Sequence, residues 1–256
     1  IVFGYYDPSR VGQAYVTVIG TIIVVVALWI AMSYWTLTDT RRSQRILWDA
    51  TRGIRRLTVD RFSSQQAAKK PWTEKDISKF HWVNTRTPSR EESPEYQELA
   101  ANDFADFRLE VGGMVSAPAS FSLAELKAIS SQSQITMHTC MQGWTGIAKW
   151  TGIRVRDLLA QVGQIDPEAG WVMFESFGMA QHMHDGRPVE PYYTCLPLDM
   201  ALEDDTILAW GRNDAPLSGM FGAPLRLRCE TSHGYKMIKW VRSVTLIRHY
   251  SEVGDG

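Results

Sequence analysis

In the stretch ITMHTCMQGW, residues 135–144, a single cysteine, Cys140, ends a strand-like run, and Gly143 and Trp144 follow. His138 stands two positions earlier, and in an extended strand positions i and i+2 point to one face, so an imidazole is available to the thiol. Four chemistries suit such a cysteine: a small buried hydrophobe, a nucleophile served by a neighbouring base, a disulfide partner, or a metal ligand. Cys195 and Cys229 are distant and no CxxC pair occurs, so there is no disulfide framework, although one bridge stays open. One thiolate cannot build a zinc site or an iron–sulfur cluster, which need about four protein ligands. It suffices for a metal that arrives already chelated by an organic cofactor, and a soft thiolate suits such a centre. The chain contains no GxGxxG, Walker loop, HExxH or GxSxG.

The elements that must position these residues follow from patterning. The 256 residues carry a formal net charge of −1, but unevenly. Residues 11–38 hold no charge, and VTVIGTIIVVVALWIAMSYW (16–35) is apolar over 20 residues, long enough as a helix to cross a bilayer. Tyr15, Trp29, Tyr34 and Trp35 flank it as interfacial aromatics do. From Arg41 to Lys70 nine basic residues face two acids. Ile46, Ala50, Ile54 and Leu57 recur there at helical spacing, which predicts a basic amphipathic helix on anionic headgroups. The longest later uncharged run, residues 128–148, is broken up by Ser, Gln and Thr and is not an apolar span, so one span is expected. The chain opens on Ile1 and not on methionine, which leaves room for a preceding segment. Ser63 to about Ala101 is polar and proline-bearing, a linker that becomes the entry to a domain. The expected organisation is a transmembrane helix in 1–40, a basic helix and linker in 41–75, and a catalytic domain in 76–256.

From residue 71 onward the chain holds 17 basic and 24 acidic residues, which argues against nucleic acid as a partner. FRLEVGG (107–113), ITMHTC, WVMFES, TILAWG, LRLRCE and VRSVTLIRHY alternate like strands. Ser122 and Glu125 make a capping box before a short helix, and RDLLAQVG is a second helix ended by Gly163. Short helices among strands without a βαβ repeat predict an α+β domain with a mixed sheet.

HTCMQGWTGIAKWTGIRVRDLL (138–159) resembles the segment that carries the molybdenum-ligating cysteine in the sulfite oxidase superfamily. It is most like the branch of the bacterial molybdopterin-dependent methionine sulfoxide reductase catalytic subunit. GAPLRLRCETSHGYKMIKWVRSVTLI (222–247) resembles that family's pterin-binding end, and FHWVNTRTP (80–88) its entry loop. The resemblance implies a sulfite-oxidase-type molybdopterin fold, with Cys140 as ligand to the molybdenum of one molybdenum-molybdopterin. It further implies cofactor contacts from Asn84, His81 and Thr85, from Ser176, and from Arg226, Gly234, Tyr235, Lys236 and Lys239. Molybdopterin ends in a phosphate, and cationic donors in an acidic domain suit it, as does close backbone approach at Gly234. His138 joins Cys140 as the candidate catalytic pair, and His182, His184 and Arg212 are candidate substrate groups. Two positions depart from the branch: Gln142 stands where an acidic residue is expected, and Phe221 where an asparagine is.

The resulting expectation is a membrane-anchored oxidoreductase that moves an oxygen atom to or from a small substrate. The apolar segment has no histidine to bind haem, so electrons must be exchanged with a partner, a membrane or haem protein or a larger membrane complex. The rival functions are a non-catalytic interaction subunit that keeps the fold, and a Cys–His thiol enzyme. The arginine collar predicts a cytoplasmic domain; the resemblance to an exported branch points to the periplasm instead.

Overall fold

The computed structural model describes residues 11–38, 46, 51, 71–84, 86–140, 142–179, 190–230, 232 and 234–253. They fall in two compact units, one within Ile1–Gly53 and the other within Ile54–Gly254. In the first unit, α1 (Val11–Thr38) is one continuous helix. Its Tyr15–Trp35 segment is long and apolar enough to cross a membrane, and none of it is buried against protein. Its β-branched residues, which would favour a strand in water, are helical here. The predicted basic helix lies almost wholly outside the described residues.

The second unit begins in the region expected to be linker, and there the structure differs. Pro94–Ala101 is a helix, α2, with Pro94 in its first turn and the Ser93 hydroxyl accepting from Tyr96 N at 3.2 Å. Its anchor is Tyr96, 1% exposed against Phe104, Phe177 and Trp240. A polar sequence with one large aromatic conceals a docked helix, because a short helix needs few apolar residues to hold it.

Two five-stranded sheets follow. The first has the order β2-β1-β10-β5-β6, built from β1 (Arg108–Gly113), β2 (Ala119–Ser122), β5 (Trp171–Met179), β6 (Pro191–Pro197) and β10 (Val241–Ile247). Strand β10 runs parallel to β1 and antiparallel to β5, so the sheet is mixed as expected. The second joins β3 (Gln132–Thr139), β4 (Thr145–Arg154), β7 (Ile207–Arg212) and β8 (Ala215–Pro216) in that order, and β9 (Arg226–Arg228) also pairs β7, at Ile207–Ala209. Helices α3 (Leu123–Ile129), α4 (Val155–Leu159) and α5 (Leu198–Ala201) connect the strands. The capping box of α3 is present in both directions, Glu125 N to Ser122 Oγ and Ser122 N to Glu125 Oε2.

The second sheet is covered on both faces. Ile153, Leu208 and Leu227 enter the main core, while Ala148, Trp150, Ile207 and Ala209 enter a smaller cluster with Leu217 and Ala223. In β9 the period of two sends Leu227 into the main core and turns Arg226 and Arg228 to the other face. That face carries the chemistry.

Candidate active site

Cys140 lies one residue past the end of β3, in a turn closed by Gly143 N to Cys140 O and Cys140 N to Trp144 O. Gly143 takes φ 88° there, a left-handed conformation that a Cβ would disfavour. The thiol is buried, accepts from Asn84 Nδ2 at 3.3 Å and lies 3.5 Å from Gln142 N. It opens on a cleft of about 380 Å³. The entry loop (81–84) forms one wall, the start of β3's turn another, and the Gly234–Lys239 segment a third.

The cleft gathers residues that are far apart in sequence. His81, Asn84, His138, Cys140, Ser176, Arg226, Gly234, Tyr235 and Lys239 all line it. Lys236 does not; its Nζ donates to Cys195 O at 3.3 Å. Thr85, His182 and His184 lie outside the described residues. Arg212 packs its guanidinium over Phe221, 4.0 Å from the ring centroid. The Ser176 hydroxyl donates to Lys239 O and accepts from Gly178 N, both at 2.8 Å, so it organises the wall.

Sequence reasoning missed the support beneath the cleft. Three guanidiniums surround the fully buried Trp150: Arg228 at 4.5 Å from its ring centroid, Arg226 at 5.2 Å and Arg212 at 5.9 Å. Arg228 is wholly buried and pairs in two bonds with Glu230, at 2.9 and 2.7 Å. The signal was present in RLRCE: residues 226, 228 and 230 share one face of an extended chain. Trp82 and Tyr192 also line the cleft, as does Trp144, whose ring lies 5.3 Å from that of His138.

Burial and positive charge shape the titration of this region. His81 is pushed down to about 3 by burial and by Arg212, Arg226 and Arg228. His138 is lowered by burial first, then by Arg228 and Arg226. Both imidazoles are therefore neutral at ordinary pH. Arg226 is lowered to about 9 by burial and by Arg228, and Lys239 to about 7 by burial and by Arg226. Arg226 Nε, His81 Nδ1 and Trp150 Nε1 have no hydrogen-bond partner.

Unpaired buried donors and depressed cationic groups fit a polar anion, which would supply the missing acceptors and charge. Among the described residues no three His, Cys, Asp or Glu side chains converge as a metal cage. A metal at Cys140 must then bring most of its own ligands, as a dithiolene-bearing pterin does. No hydrogen bond joins His138 to Cys140, so the thiol–imidazole pair of a thiol enzyme is not formed. The donors, the glycine at 234 and the soft sulfur together fit molybdopterin.

Known proteins bear on the chain's family. YedZ1 of Azospira oryzae, provisionally named a protein-methionine-sulfoxide reductase subunit, is 33% identical over 153 residues, 60% of this chain and 53% of that one. The protein-methionine-sulfoxide reductase catalytic subunit MsrP of Xanthomonas axonopodis is 32% identical over 148 residues, 56% of this chain and 46% of that one. The chain thus spans about half the length of these relatives. Among solved structures, the sulfane dehydrogenase SoxCD of Paracoccus pantotrophus aligns over 57% of this chain and 39% of its own, with 23% identity and a TM-score of 0.48. The family described as oxidoreductase molybdopterin binding domain matches residues 96–253, more than half of the chain. This chain belongs to that family of oxidoreductase molybdopterin-binding domains.

Proposed function

We propose that this protein is a membrane-anchored molybdenum oxidoreductase that transfers an oxygen atom to or from a small substrate and exchanges electrons with a partner protein. The observation that carries this is the buried Cys140 thiol in a cleft lined by Asn84, Arg226 and Lys239. When bound, molybdenum-molybdopterin supplies a two-electron redox centre able to exchange an oxygen atom with substrate. The chain's own residues do the rest. Cys140 is the one protein ligand to the metal, and Asn84 Nδ2 steadies its sulfur by hydrogen bond. Arg226 and Lys239 hold the cofactor's anionic and polar groups, and the exposed Tyr235 and Trp82 flank the entrance for substrate. Lys236, behind the wall, is a weaker candidate for direct contact than its neighbours in sequence.

In this reading residues 1–40 contain the anchor, 41–75 the basic segment and 76–256 the catalytic domain. The arginine collar favours a cytoplasmic domain. The relatives' names suggest a sulfoxide as one substrate to try. The test is metal analysis of the full chain purified in detergent. One molybdenum per chain is expected, and Cys140→Ser should lower that content and abolish turnover, because a hydroxyl is a harder ligand. Molybdenum-free protein after expression in a host that makes the cofactor, or an unaffected Cys140→Ser, would refute the reading.

A further inference from the structure

The buried ion pair under the cleft does more than balance charge. Arg228 places Nη1 2.9 Å from His138 Nδ1. A guanidinium can only donate, so Nδ1 must accept with its lone pair and carries no hydrogen. Met237 Sδ, 3.2 Å from the same nitrogen, can only accept and would call for a hydrogen on Nδ1; the charged guanidinium at 2.9 Å is the stronger and closer partner and decides the tautomer. The ring hydrogen is then on Nε2. That edge faces the backbone at Gly234: a Cβ there would stand 2.5 Å from Nε2 and 2.6 Å from Cε1. Arg228 has little freedom to turn away, since Glu230 grips it at Nε and Nη2, Thr136 Oγ1 accepts at 3.3 Å, and Glu230 is itself held by Gln134 at 3.1 Å.

We propose that Arg228 is a positioning residue that locks His138 as its Nε2–H tautomer, so that His138 offers the cleft a hydrogen-bond donor and neither a base nor a metal ligand. The atom served is an acceptor, oxygen or sulfur, of whatever occupies the cleft beside Gly234. Only the nature of that acceptor rests on the proposed molybdenum function; the lock itself does not.

The test reads the ring directly. In the full chain labelled with 15N-histidine, the His138 signals, assigned by their loss in His138→Gln, should show a pyrrole-type Nε2 and a pyridine-type Nδ1, whether or not molybdenum is present. Arg228→Lys, which keeps a donor, should preserve this pattern. Arg228→Met with Glu230→Met removes both charges together, the change that buried ion pairs tolerate best, and should release His138 into a mixture of tautomers. A protonated Nδ1 in the unaltered protein, or an unchanged pattern in the double variant, would overturn the lock. For the donor role, Gln at 138 places an amide NH2 near the position of Nε2 and Asn places one near Nδ1. His138→Gln should therefore retain cofactor and turnover about tenfold better than His138→Asn, the effect of about one hydrogen bond. Equal behaviour of the two would overturn the donor role. Absence of molybdenum from every form, with the tautomer pattern intact, would count against the proposed function and leave the lock standing.

Discussion

Lys239 gives the sharpest test of the cleft's electrostatics. Its Nζ donates to Asn84 O at 2.6 Å and Met220 O at 3.2 Å and lies 4.2 Å from the Trp240 ring centroid. Burial, then Arg226, pushes it from 10.5 down to about 7. The unfolded chain keeps this proton up to about pH 10, while the folded, cofactor-free protein releases it near 7. Between those values the unfolded state binds more protons, so stability rises with pH through the window and is lost as pH falls towards 7. One full proton is worth about 1.4 kcal/mol per pH unit. Discounting for the partial exposure of Lys239, the gain from pH 7 to 9 should be about 1–2 kcal/mol. Lys236, also lowered by burial, adds in the same direction. Cys195 and Cys229, raised by burial to about 11 and 12, act in the opposite direction once the unfolded thiols ionise near pH 9, and Arg226, lowered to about 9, enters above that; the comparison with a Lys239 variant removes all three.

The assay is denaturant unfolding of the cofactor-free full chain at pH 7, 8 and 9, followed by tryptophan fluorescence, beside Lys239→Met. The variant should show a shallower pH slope by about 1 kcal/mol over the window. Equal slopes would mean that Lys239 keeps its charge in the fold and that the cleft does not exert the stress ascribed to it.

Other outcomes follow from the same contacts. Gly234→Ala forces a Cβ into the His138 ring at 2.5 Å; overpacking of this kind costs about 1–3 kcal/mol, and cofactor content should fall with stability. Glu230→Gln strips the counter-charge from a wholly buried Arg228 and should destabilise by about 3–5 kcal/mol in denaturant unfolding. His81, held near 3 against its ordinary 6.5, contributes stability above pH 6.5 that is lost as pH falls towards 3. His81→Gln should therefore flatten the acid limb of a stability–pH curve, and an unchanged limb would refute this.

Much of the cleft was legible because its residues are local signals. Cys140, Gly234 and Arg226 sit in motifs whose residue types are unusual for their surroundings, and the strands that carry them alternate cleanly. What was not legible depends on register between distant strands. Nothing local in Trp150 announces that it pairs with Arg212 across β4 and β7, or that β9 brings Arg226 and Arg228 over it. Lys236 and Lys239 look equivalent in YKMIK, yet the short helical turn Gly234–Lys236 sends one behind the wall and leaves the other on it. The helix α2 was hidden for a different reason: one tyrosine anchors it, and one residue makes no period.

The two departures from the branch now have a physical sense. Gln142 brings a backbone N–H near the Cys140 sulfur and accepts from Trp144 Nε1 through its side-chain oxygen at 3.4 Å. A carboxylate in its place would set a negative charge near the Cys140 sulfur, which the neutral amide does not. Phe221 lies under the Arg212 guanidinium and against the edge of the His81 ring, 5.8 Å between centroids. Arg212 itself does not line the cleft. The acids near the site are already committed: Glu230 to Arg228, and Glu92, which lines the cleft, to Arg86 and Ser89 N. Arg226 and Lys239 share the cavity lining with Cys140 and with apolar side chains such as Val83, Met179 and Met237. Arg226 and Lys239 suit a ligand that brings acceptors and negative charge to this cleft.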